Sequence, residues 1–165
     1  MSKEQIRGIR EEVMNKTTGI ALIFIILLFF LTSCAMAPPT KLQTDDKRAC
    51  AQNFTYDGSF LAGRTFKTHQ FVNKVSKNDA VTRAAKFLAK DGYSITNINK
   101  ELGIVGASQG VSYSQGKTVP LNVTIDPANA GVNVSISFSI SGGLTVNASS
   151  VQDLFCQIIE AISRN

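Results

Sequence analysis

Two stretches near the carboxyl end carry the sharpest pattern in the chain. Val119, Leu121, Val123 and Ile125 alternate with Pro120, Asn122, Thr124 and Asp126. After a turn at Pro127-Ala128-Asn129-Ala130-Gly131, Val132, Val134, Ile136, Phe138 and Ile140 alternate with Asn133, Ser135, Ser137, Ser139 and Ser141. A strict period of two places one apolar face inward and leaves one polar face in water, as in an antiparallel sheet. Helical periods flank this hairpin. Val81, Ala84, Ala85 and Leu88 fall at i, i+3, i+4 and i+7, with Ser76 or Asn78 placed to cap and Asp91-Gly92 to stop the helix. Val151, Leu154, Phe155, Ile158, Ile159 and Ile162 make a second stripe, opened by Ser150 and Asp153 in capping-box spacing.

The remaining segments fill in the order. Residues 64–72 are rich in aromatic and β-branched side chains and predict a first strand, with Phe54, Tyr56 and Phe60 in a shorter strand or irregular chain before it. Tyr93 to Ile98 and Ile104 to Ser108 read as a hairpin, and Gln109 to Thr118 as a loop. Leu144 to Asn147 suits a short strand continuation. The expected fold class is α+β: an antiparallel sheet of four to six strands, order β-α-β-β-β-β-α, with two helices on one face.

At the other end, Ile20 to Leu31 is apolar without interruption for twelve residues. That is short of the roughly 20 needed to span a bilayer, and has the length of a signal-peptide core. Thr32, Ser33 and Cys34 follow. Leu31-Thr32-Ser33-Cys34 resembles the lipobox of bacterial lipoproteins. The resemblance implies cleavage before Cys34 and attachment of a diacylglycerol to its sulfur, a stable anchor once two or three acyl chains are present. The alternative is an uncleaved apolar helix. Ser2 to Val13 mixes three basic with three acidic residues, whereas a start at Met14 leaves a compact leader with Lys16 as its charge. The expected organisation is a signal peptide over 1–33 with translation from Met14, a lipidated cysteine and flexible tether over 34–49, and one envelope domain over 50–165. In the enterobacterial version of this system, Ala35 rather than Asp after the cysteine goes with the outer membrane, facing the periplasm.

With Cys34 assigned to lipid, Cys50 and Cys156 remain as an even pair in an exported protein, which predicts a disulfide. The alternative is two separate thiols. On the final helix Cys156 lies beside the apolar stripe, so a bridge to a peripheral segment is expected. The order of elements resembles helix-grip domains, including those of BamC-type lipoproteins of the barrel-assembly machinery. The segment Gly92-Tyr93-Ser94-Ile95 through Glu101-Leu102-Gly103-Ile104 also resembles a pattern of small envelope lipoproteins, over about residues 75–164.

Charge narrows the function classes. The segment from Cys34 onward holds thirteen basic and nine acidic side chains, net +4, scattered rather than blocked and not interleaved with aromatics. No nucleic-acid footprint is expected. His69 is the single histidine, and no G-x-S-x-G elbow or cysteine-protease context accompanies it. Gly106-Ala107-Ser108-Gln109-Gly110 has no Lys-Ser/Thr and opens no helix, so it makes a poor phosphate loop. Neither catalytic residues, metal ligands nor cofactor are expected. Two readings follow: an anchored structural or interaction module with an envelope-protein partner, or a carrier whose sheet and final helix enclose an apolar or lipid ligand. The first is preferred unless an apolar pocket larger than about 300 Å³ exists.

Overall fold

The structure, a computed structural model, describes residues 38–111 and 116–164. Cys34, Met14 and the apolar run of residues 20–31 lie outside them. Strands β1 (Thr40–Lys41), β2 (Thr55–Ser59), β3 (Gly63–Asn73), β4 (Ser94–Asn99), β5 (Ile104–Gly110), β6 (Thr118–Ala128) and β7 (Gly131–Ile140) form one sheet. Its order is β1-β2-β3-β7-β6-β5-β4, and every neighbouring pair is antiparallel. Helix α1 (Ala49–Gln52) is one turn, whereas α2 (Lys77–Lys90) and α3 (Ala148–Ser163) are full helices. The fold is therefore α+β, and β3-α2-β4-β5-β6-β7-α3 follows the expected helix-grip-like order.

Seven strands replace the expected four to six. On the edge beyond β3, β2 is the shorter strand offered for the region of Phe54 to Phe60, and β1 is an addition that was not expected. Neither carries an alternating pattern, because Thr40–Lys41 is exposed and β2 has no buried residue. Pairing with β3, whose register runs from Thr55↔Lys67 to Ser59↔Gly63, creates β2. The compact unit accordingly starts at Pro38 and not at residue 50, so part of the segment read as tether belongs to the sheet.

Period two is realised closely in β6 and β7. Leu121, Val123 and Ile125 are wholly buried, and Val132, Val134 and Ile136 face the same core. The turn between them is shorter than expected, because β6 runs to Ala128 and leaves Asn129 and Ala130 as its tip, with Ala130 at φ 65°. Helix α2 buries Ala80, Val81, Ala84, Ala85 and Leu88, and the Ser76 hydroxyl accepts the Asp79 amide as its cap. Helix α3 is capped by Asn147, whose side chain accepts the Ser149 amide, three residues earlier than the expected Ser150 cap. Arg83 on α2 donates to the Ile162 carbonyl at 2.9 Å, satisfying an orphan acceptor at the end of α3.

Candidate functional site

Cys50 and Cys156 are joined, with Cα atoms 5.3 Å apart. The bridge is not peripheral: Cys50 and Cys156 are 2 % and 0 % exposed. The single turn α1 reaches into the core beside α3, and its carbonyls need partners there. Two buried polar side chains supply them. Thr68 Oγ1 donates to the Cys50 carbonyl at 2.6 Å, and Gln152 Nε2 to the Ala51 carbonyl at 3.2 Å. Thr68 and Gln152 are the buried polar residues among those described, so both are committed to holding this turn.

Arg48 closes the same corner from outside. Its guanidinium contacts Asp46 at 2.6 Å, Asp153 at 2.9 Å and Glu160 at 2.9 Å. Hydrogen bonds from Arg48 hold the Asp46 and Asp153 carboxyls below the usual carboxylate range, and the three acids push the guanidinium further up. Depressed carboxyl values mean that this clamp is fully present above the ordinary carboxylate pKa of about 4 and is lost as the pH falls through the depressed values. Because the groups are exposed, its contribution is small and screened by salt. Arg48→Ala should lower stability slightly at neutral pH and leave it unchanged in acid below the depressed values, so that the acid limb of the stability–pH curve flattens, as measured by urea unfolding at low ionic strength.

Among the described residues, two clefts larger than about 300 Å³ could take a ligand. One, about 330 Å³, lies on the polar outer face, where Lys67, His69, Thr124, Ser135 and Ser137 meet Asn53. His69 stands opposite Ser135 in the register, and its backbone carbonyl accepts Asn53 Nδ2 at 2.8 Å. The imidazole makes no hydrogen bond among the described residues, and Asp57 on the same face is engaged by Lys67 at 3.6 Å. These groups line a hydroxyl-rich shelf and do not assemble a nucleophile with its base.

The second cleft, about 350 Å³, lies on the inner face at one end of the sheet. Val111, Val119, Phe138, Ile140, Leu144 and Val146 give it apolar walls, and Gln109 and Thr145 its polar side chains. It forms where Val119, the first inward residue of β6, and Phe138 and Ile140, the last inward residues of β7, meet the segment that leads into α3 at Ala148. Exposure rises from 0 % at Leu121 to 7 % at Val119, and to 7 % at Ile140. The connection through Leu144 and Val146, expected to continue a strand, is irregular and covers this end only in part. No signal of period two marks where strand ends and an irregular segment meet, so this site was not legible in the pattern.

Elsewhere, Tyr93 is buried just before β4, and burial, then the charge of Asp91, push its phenol up. No cluster of three metal-ligating side chains occurs among the described residues.

No protein-family model matches this chain, and no curated protein does. Among solved structures it is similar to Ara h 8.0201, at 13 % identity and a TM-score of 0.45, over 60 % of this chain and 94 % of that one. It is also similar to CalU16 from Micromonospora echinospora, at 5 % identity and a TM-score of 0.48, over 67 % of this chain and 80 % of that one.

Proposed function

We propose that this chain is a lipid-anchored cell-envelope protein whose folded domain binds a small apolar ligand in the cleft between β6, β7 and the Leu144–Val146 segment. The observation that carries the binding reading is the cleft itself: six apolar side chains around about 350 Å³. That volume lies near the lower bound of roughly 300–1,000 Å³ typical of ligand sites, which suits one aliphatic chain or a small ring system. It exceeds the size at which the carrier reading overtakes the interaction-module reading. The interaction-module reading retains one support, the Ser/Thr/Asn outer face with its polar shelf around His69. Anchorage at Cys34, and placement at the outer membrane, rest on Leu31-Thr32-Ser33-Cys34 and on Ala35.

The test is titration of the folded unit, residues 38–165, with the neutral probe N-phenyl-1-naphthylamine. Saturable fluorescence enhancement is expected. Leu144→Glu, in an irregular and half-buried segment, should weaken it about tenfold or more, equivalent to about 1.4 kcal/mol, without lowering the melting temperature of the domain. Enhancement that is non-saturable, or insensitive to Leu144→Glu, would return the balance to the interaction module.

A further inference from the structure

The end of the sheet that holds the cleft also carries an adjacent pair of exposed apolar residues. Phe60 and Leu61, at the tip between β2 and β3, are 48 % and 85 % exposed. The tip is not loose. Gly143 donates its amide to the Phe60 carbonyl at 2.8 Å, and Gly142 lies against the Leu61 carbonyl so closely that a Cβ there would meet it at 2.0 Å. The chain leading into the cleft wall at Leu144 is thus fastened to the tip. A rigid, water-exposed Phe-Leu pair costs solvation in the free protein and gains it in an apolar medium.

The register of β1 supplies a second observation. Thr40 pairs with Tyr56 and Lys41 with Thr55, so the chain traced backward from Lys41 runs beside β2 toward the tip. Cys34 lies six residues before Thr40, a reach of at most about 20 Å when extended. Charge fits as well. Arg64 and Lys117, at this end, make no ion pair among the described residues, and the Arg64 Nε is buried without a hydrogen-bond partner. Asp57 is engaged by Lys67, and Asp91 stands at the opposite edge beside β4.

We infer that the Phe60–Leu61 tip is a membrane-contact surface, which seats in the lipid headgroup region and holds the cleft mouth against the bilayer. The occupant is a lipid surface, and an apolar ligand then enters the cleft from the membrane side without crossing water. Apolar residues with flanking cations are the combination that interfacial binding uses. The inference rests on the proposed anchorage, which places the bilayer at this end of the domain.

The chain has no tryptophan, so one can be introduced as a sole reporter. Full-length Leu61→Trp and Leu102→Trp variants are reconstituted in vesicles of phosphatidylethanolamine and phosphatidylglycerol, with and without brominated lipid. Leu102 is a matched control, 62 % exposed at the opposite end of the sheet. Emission from position 61 should shift to the blue and be quenched by brominated lipid several-fold more than emission from position 102. Equal quenching at both positions, or a chain that does not float with the vesicles, overturns the inference. The mass of the Cys34 peptide separates the two readings. Modified Cys34 with unquenched tryptophan at 61 sinks the tip contact alone, and unmodified Cys34 with quenching sinks the lipid anchor alone.

Discussion

Replacing Cys50 and Cys156 together by alanine should destabilise the folded domain by about 4–5 kcal/mol, the loop-closure entropy of a crosslink over roughly a hundred residues. The two cysteines are separated by 106 positions, so the closed loop takes in β2 through the first half of α3. Against a typical total of about 5–15 kcal/mol, that is a third of the stability or more. A melting temperature lower by on the order of 15 °C is expected for a domain of this size. Alanine is the appropriate replacement, because serine would bury an unmatched hydroxyl at both sites. Thermal unfolding of the reduced wild type should fall close to that of the double variant, since the loss lies in the unfolded chain and not in contacts. Were reduction to leave the midpoint unchanged, α1 would be held by Thr68, Gln152 and Arg48 without help from the bridge.

Phe155→Ala should cost about 3–5 kcal/mol, the range for removing a fully buried ring. Phe155 is 0 % exposed and meets Phe54 edge-on at 5.7 Å. Phe54 stacks on Phe66 at 6.0 Å, and Phe66 meets Phe138 at 6.2 Å. The ring series connects α3 to the centre of the sheet, so the cavity left by alanine has walls that cannot collapse freely. Phe71→Ala is the contrast. Phe71 lies on the outer face, 47 % exposed and opposite Asn133, and its loss should stay within about 0.5 kcal/mol. Urea unfolding of the two variants measures both. A cost at Phe71 equal to that at Phe155 would mean that the outer face is covered by something, as the interaction-module reading requires. Phe155 neighbours Cys156, so the two large effects are not expected to add.

These contrasts show where local pattern suffices. The hairpin of β6 and β7, the helix α2 with its Ser76 cap, and the apolar stripe of α3 are each written in a repeat of 2 or 3.6 residues. Such repeats express a single relation, one face buried, that holds whatever lies opposite. The order β-α-β-β-β-β-α followed from them. Phe54, Phe60, Phe66 and Phe71 appear in the chain as one aromatic-rich stretch, yet Phe54 and Phe66 are core while Phe60 and Phe71 face water. Position along β3 separates Phe66 from Phe71 by parity, but only the docking of α1 and the β2–β3 turn sorts Phe54 from Phe60.

Strands β1 and β2, the buried corner around Cys50, and the cleft had no such repeat to announce them. Each depends on residues far apart in the chain: Thr40 on Tyr56, Ala51 on Gln152, Val119 on Leu144. The alternating strands and helical stripes were enough to define the layers, and the apolar run Ile20 to Leu31 with Thr32-Ser33-Cys34 behind it to propose an anchor, because each is written in consecutive residues. The cleft is bounded by Val119 of β6, Phe138 and Ile140 of β7 and the irregular Leu144–Val146 segment. That meeting of separate elements exists only once they are packed, and it is what leaves the space in which a ligand can sit.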